Sequence, residues 1–299
     1  MNLRQIYSIN MSMAAYVVGD VLVKTLGQIY PPVEVIFWRS CVIACAFGFY
    51  LAANRTLFSK NILRPAVLLR CLFDSINSFC FVIALVHMDL AEIYSILLTT
   101  PFLMTILAVV LLKEPVGWRR WLAIVGGFAG SLLIIKPSMH GFNYWAAIAF
   151  LAALAGALRD YVTVKIHAAI STAEVTFVGA VFAVAAAAIA FLFGLGPPWK
   201  AVAVNEAFLM VAAATASLVG TMLLIHACRI GPLYIAAAFR FMLLVWGGVA
   251  GYVVFGNVPD AWSLIGALII VACALYVLYR EAIRHQVIAS AVQVGGTTA

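Results

Sequence analysis

Charged side chains interrupt long apolar runs at Asp20, Arg39, Arg70, Asp74, Arg159, Asp160 and Arg240. A charge deep in hydrocarbon costs about 2.5–3.5 kcal/mol on insertion scales, so such groups face an interior cavity or a partner of opposite sign. Arg70 and Asp74 stand four apart and share a helix face, which lets them pair. Ser75, Asn77 and Ser78 make the same stretch polar. Pairing or interface anchoring accounts for Arg70, Arg159 and Asp160. For Asp20, Arg39 and Arg240, farther from any run end, structural and ligand-binding readings both stand. An arginine fork suits a carboxylate. A buried carboxyl, Asp20 or Asp74, suits proton carriage, because desolvation disfavours the charged form of an acid. The aromatics Tyr16, Trp38, Tyr94, Tyr161 and Trp246 could line a cavity or serve as packing and interface anchors.

Other chemistry is poorly provided for. The sequence contains no His-Glu-x-x-His and no Gly-x-Ser-x-Gly. Its six cysteines fall in apolar runs without Cys-x-x-Cys spacing, so neither a metal site nor a disulfide is expected. Five histidines add no constellation. No catalytic role and no cofactor follow from these residues.

The elements that must hold these charges are ten apolar stretches, at about 6–27, 33–53, 65–86, 91–112, 121–136, 143–165, 173–194, 207–227, 233–255 and 261–280. Most approach the roughly 20 residues that cross a bilayer. Of 299 residues, 66% are hydrophobic and 10% charged, too apolar for a water-soluble domain. The runs lack strand alternation, so an all-α, polytopic membrane protein with ten transmembrane helices is predicted, with the lipid bilayer as its partner. Arg4, Arg55, Lys60, Arg64, Lys113, Arg119, Arg120, Lys165, Arg229, Arg280 and Arg284 fall on one side of that arrangement; mainly Lys136 and Lys200 fall opposite, with Lys24 near the end of the first run. Basic residues stay cytoplasmic, which places both termini, including a tail over 281–299, inside. The net charge of +7 is dispersed through short connections, so nucleic acid is not an expected partner. The first run reads as a permanent helix rather than a cleaved leader.

A weak internal repeat spans the chain. Asp20 and Glu34-Val35-Ile36-Phe37 recur 140 residues later as Asp160 and Glu174-Val175-Thr176-Phe177. Ile124-Val125-Gly126 recurs as Leu264-Ile265-Gly266 at the same offset. Five crossings per half force the second half to insert upside down, giving two inverted five-helix repeats over 6–136 and 142–280. Inverted repeats are a common build of secondary transporters, with the ligand site between halves near the midplane. Glu34 and Glu174 are expected to cap helix starts. Pro101, after Thr99-Thr100, is expected to bend the fourth span. Gly126-x-x-x-Gly130 and Gly247-x-x-x-Gly251 are expected to allow close helix contact.

The segment Pro32-Val33-Glu34-Val35-Ile36-Phe37-Trp38-Arg39-Ser40, the motif Leu111-Leu112-Lys113-Glu114-Pro115 and the stretch from Trp118-Arg119-Arg120-Trp121 to Ile134-Ile135-Lys136-Pro137 resemble EamA-type permeases of the drug/metabolite transporter superfamily. The likeness covers about residues 6–280. Where such permeases often repeat the glutamate, the second half reads Gly256-Asn257 instead. The resemblance implies a bacterial inner-membrane permease moving a small-molecule substrate without an ATP-binding partner. Alternating access would act on a site between spans 1–4 and 6–9, lined by Tyr16, Asp20, Trp38, Arg39, Asp74, Asn77, Tyr94, Arg240 and Trp246. Riboflavin uptake is the first substrate expected, since a flat ring suits aromatic stacking. Export of amino acids or related metabolites is the alternative, with a non-transporting membrane scaffold as the rival from another class. A homodimer stays open.

Overall fold

The structure is a computed structural model that describes residues 3–54, 64–112, 118–135, 144–164, 170–194, 196–230, 242–258 and 260–273, with 275, 276 and 279 beyond them. Arg240, Lys113-Glu114-Pro115, Lys136, Lys165 and the tail over 281–299 lie outside the described residues. All regular structure among the described residues is helical. The helices are α1 (Leu3–Gly27), α2 (Pro32–Ala53), α3 (Pro65–His87), α4 (Leu90–Leu97), α5 (Thr100–Leu112), α6 (Trp118–Ile135), α7 (Tyr144–Val164), α8 (Thr172–Leu192), α9 (Val204–Ile230), α10 (Met242–Phe255) and α11 (Ala261–Cys273). Among the described residues, seven helices, with α4–α5 taken together, are long and apolar enough to cross a membrane. Of the remaining three predicted spans, the ninth and tenth hold the shorter apolar helices α10 and α11, and the fifth holds α6, of 18 residues.

Local chemistry fixes the helix starts. Prolines open α2 and α3 at first-turn positions, where no amide hydrogen is needed. Ser171 and Glu174 close a reciprocal capping box on α8. Glu34, its counterpart on α2, is buried but does not cap; it accepts from the Lys200 amide at 3.1 Å and ties the turn before α9 to α2. The fourth span divides at Leu98-Thr99. Pro101 supplies no amide hydrogen for the Leu97 carbonyl, and the Thr100 hydroxyl donates to that oxygen at 2.6 Å. Thr99 does the same for Ile96 at 2.6 Å. The Ile96 carbonyl also accepts from the Thr99 amide at 3.0 Å, so it is at Leu97, where Pro101 has no amide hydrogen to offer, that a hydroxyl takes over in a setting where lipid supplies no partner.

Three helix pairs frame the interior, and each is antiparallel. On α1 and α9, Ser12 donates to the Gly220 carbonyl at 2.6 Å, while Gly19, a turn or two on, faces Ala213 and Ser217. On α3 and α7, Arg70 meets Thr163 at one end and His87 stacks on Trp145 at 3.6 Å between ring centroids at the other. On α2 and α8, Gly48 abuts Phe177, and the opposite end of α2 shares a small cavity with Phe191. Shifting numbers by 140 carries the start of α2, Pro32, onto the start of α8, Thr172, and brings α1 onto α7 and α3 onto α9 within one residue at their starts. The adjacencies follow the same exchange: α1 with α9 becomes α7 with α3, and α3 with α8 becomes α9 with α2.

Packing concentrates around α1 and α4. Val17, Val23, Leu26, Ile36, Val82, Leu85, Leu90, Ile93 and Tyr94 form one buried cluster. Gly130 lets α6 approach the Gly266 carbonyl of α11, as the glycine spacing predicts. In the second glycine pair only Gly247 makes such a contact, against the Tyr94 ring. Gly251 has open space where a side chain would project.

Candidate functional site

One face of α1 carries Ser12, Tyr16, Asp20 and Lys24 at intervals of four, so the helical repeat stacks them along a single polar stripe. The stripe faces inward: Ser12, Asp20 and Lys24 are all buried. At its middle the Tyr94 hydroxyl donates to Asp20 Oδ2 at 2.6 Å. Tyr94 is 2% exposed and held from behind by Gly247, where an added Cβ would sit 2.3 Å from the ring. The fragment α4 therefore delivers a phenol to a carboxylate, and α10 supplies the gap that lets the ring lie there.

Arg39 on α2 lies within electrostatic reach of both Asp20 and Asp74. Its only described hydrogen bond, to Ser78, is long at 3.4 Å, and its Nε is buried with no hydrogen-bond partner among the described residues. A guanidinium carries five donors. Nε is left unused in the interior, which is costly unless a ligand or water takes it. Asp20 and Arg39 thus present opposite charges toward one interior region.

Below them, the Tyr16 hydroxyl meets Thr221 at 3.0 Å, and the Trp246 indole donates to Asn10 at 2.8 Å. Tyr16 and Trp246 also pack in one apolar cluster with Met13. Asp20, Tyr94, Arg39, Tyr16 and Trp246 are therefore brought to the same part of the bundle. Asp74 stands in a different company. Arg159 binds it at 3.0 Å, Arg70 lies 3.8 Å away, and Arg159 also holds Asp160 at 2.9 Å. The expected Arg70–Asp74 pair forms, but as the weaker part of a network joining α3 to α7. Asn77 donates to the Ala152 carbonyl at 2.7 Å and helps lock the same two helices. Trp38 is 39% exposed and packs edge-on against Phe37, which meets Trp199. It belongs to an aromatic group at the start of α2.

At the far end of the stripe, Lys24 donates to the Met88 carbonyl, sits near the Asp89 and Glu92 carboxylates and covers the Phe255 ring at 4.9 Å. Asn257 donates to Asp89 beside it. Together these contacts fasten the ends of α1, α3 and α10 to the start of α4. Sequence reading passed over Lys24 in this role, along with Asn10, Ser12 and Thr221. The signal was available, because Ser12, Tyr16, Asp20 and Lys24 fall every fourth residue.

Among the described residues, no three His, Cys, Asp or Glu side chains group as a metal site. The architecture is that of a multi-pass helical membrane protein whose interior carries a cation and an anion in reach of each other. Residues 5–136 are similar to the EamA-like transporter family. The chain is 29% identical to the S-adenosylmethionine uptake transporter of Rickettsia felis (strain ATCC VR-1525 / URRWXCal2), over 91% of each chain. It is 24% identical to the pseudopaline exporter CntI of Pseudomonas aeruginosa (strain UCBPP-PA14), over 86% of this chain and 89% of the relative. It is 25% identical to a riboflavin transporter of Rhizobium johnstonii (strain DSM 114642 / LMG 32736 / 3841), over 88% and 86% respectively.

Proposed function

We propose that this chain is a secondary carrier that brings a small zwitterionic metabolite of the S-adenosylmethionine type across the bacterial inner membrane by alternating access. The observation that carries this reading is the opposed pair: Asp20, steadied by Tyr94, and Arg39, with donors to spare. Arg39 takes the substrate carboxylate as a charge-assisted bond. Asp20 takes the ammonium or sulfonium. Tyr16 and Trp246 offer faces to an adenine ring. The relative from Rickettsia felis, alike over 91% of this chain, supports both the substrate class and the inward direction.

Two inverted halves provide the motion. The antiparallel crossing of α2 on α8, which occupy equivalent positions, supports a twofold axis lying in the membrane plane. Parallel copies would run those two helices in the same direction. Such a pair tilts either way at similar energy, opening the site to each side in turn. Asp20 is the carboxyl free to exchange a proton with the transport cycle, since Asp74 is committed to Arg159.

Uptake of labelled S-adenosylmethionine into proteoliposomes holding only this polypeptide tests the reading. Saturable uptake, competed by S-adenosylhomocysteine and not by riboflavin, is expected. Riboflavin remains the second substrate reading, favoured by the Rhizobium relative and by the aromatics near Asp20. Uptake of riboflavin without S-adenosylmethionine would establish that reading instead. Efflux alone would favour export, and no flux of any ligand would favour a scaffold.

A further inference from the structure

Trp246 is held from two sides. It packs with Met13 and Tyr16 in one apolar cluster and against the cluster of Tyr94 in another. Its indole N–H donates to Asn10 Oδ1 at 2.8 Å. An indole nitrogen is a donor only, so Asn10 must turn its amide oxygen toward Trp246 and its NH2 group away. That is the only side-chain hydrogen bond of Asn10 among the described residues. Asn10 is half-buried, in the first half of α1. Two amide hydrogens turned to hydrocarbon would be costly, so they face water or a ligand. The oxygen keeps a second lone pair. Asn10 therefore offers a donor and an acceptor side by side, both fixed in direction by the indole. It stands ten residues before Asp20, about 15 Å along the axis of α1. Met13 and Tyr16 lie between, and all four positions fall within about a third of the helix circumference. A free amino acid is too short for that interval, whereas an amino acid carrying a nucleoside suits it.

We propose that Asn10 reads the adenine of an adenosyl-bearing amino acid, with the base lying against Trp246. The amide NH2 donates to a ring nitrogen, N1 or N7, and Oδ1 accepts from the 6-amino group beside it. An asparagine amide recognises adenine by this pair of bonds in nucleic acids. Hypoxanthine carries an oxygen in place of the amine, which would set two acceptors against each other. Asn10 is then a specificity residue for the base, remote from Asp20 and Arg39, which take the charged head of the same molecule. The subsite rests on the adenosyl reading of the substrate proposed above, and binding rather than flux decides it.

The test is competition binding to the full chain in nanodiscs. Labelled S-adenosylhomocysteine is displaced by S-inosylhomocysteine and by the 1-deaza and 7-deaza forms of S-adenosylhomocysteine. The wild type should prefer the adenosyl over the inosyl ligand about five- to a hundredfold, the range a bidentate base contact confers. The deaza form lacking the nitrogen that Asn10 reads should bind about two- to tenfold more weakly than its parent. In Asn10→Leu the adenosyl and inosyl ligands should bind alike, whereas a merely structural loss would weaken both and keep their ratio. If Asn10→Leu does not fold, the wild-type comparison of the ligands still decides. Equal binding of adenosyl and inosyl ligands by the wild type, or of both deaza forms and their parent, would overturn the proposal. S-adenosylmethionine uptake with the adenosyl preference intact in Asn10→Leu would remove the subsite and keep the carrier reading. An Asn10-dependent preference without that uptake would do the reverse.

Discussion

Tyr94 and Asp20, 74 residues apart, meet through a 2.6 Å hydrogen bond inside the bundle, and neither is open to lipid. The phenol joins α4 to α1 and fixes which way the carboxylate points. A carboxylate accepts several hydrogen bonds. Tyr94 supplies one and leaves capacity for a ligand.

Tyr94→Phe removes that donor and keeps the ring. A hydrogen bond to a charged group contributes about 1.5–3 kcal/mol, so substrate affinity should fall about ten- to a hundredfold. Asp20→Asn should go further and abolish uptake driven by a pH gradient, while counterflow with equal substrate on both sides persists. Gradient-driven uptake in the Asn variant would remove Asp20 from coupling.

Gly247→Ala places a methyl group where the Tyr94 ring lies. Overpacking of this kind costs about 1–3 kcal/mol. The variant should lower the melting temperature by several degrees and depress uptake as Tyr94→Phe does. By contrast, Gly251→Ala, projecting into open space, should leave uptake and melting near wild type. Equal behaviour of the two glycines would refute the packing role assigned to Gly247.

Arg39→Lys keeps the charge but loses the planar fork. KM for a substrate bearing a carboxylate should rise about tenfold or more, whereas inhibition by an adenosine thioether without the carboxylate should stay the same. Competition assays with the two ligands separate these effects. Equal losses for both would mean that Arg39 does not read the carboxylate.

Lys24→Met removes the cation from the far end of the α1 stripe. The α1–α4 connection there should loosen, and a cysteine introduced at Ala91 should react severalfold faster with a membrane-impermeant maleimide. Unchanged labelling would show that Lys24 is not a fastening.

Asp74→Asn breaks the network with Arg159 at part-exposed sites, where such pairs contribute modestly. A small drop in melting temperature with pH-gradient coupling intact is expected. Joint loss of coupling in Asp74→Asn and Asp20→Asn would place both carboxyls in the proton path.

Membrane class was legible from hydropathy alone, because lipid admits few solutions to backbone hydrogen bonding. The same constraint made the break near Pro101 readable, with Thr99 and Thr100 as its remedy. Pairing across the bundle was not. Nothing local to Asp74 reveals that Arg159, 85 residues away, outcompetes Arg70 four residues away. Tyr94 and Asp20 were both singled out, yet their contact depends on Gly247, which was read as a site of helix contact. The polar stripe of α1 shows the reverse case: its period was in plain view, but a hydrophobic helix with low overall polarity draws attention to single charges and away from their spacing.

The divided fourth span makes the eight-residue α4 a short lever with its own fulcrum at Leu98-Thr99. At this joint the Thr100 hydroxyl stands in for the amide hydrogen that Pro101 lacks, so one side-chain bond holds where a continuous helix would have a backbone one. Because Tyr94 sits on that short helix, the grip on the Asp20 carboxylate depends on the angle at which the break sets it.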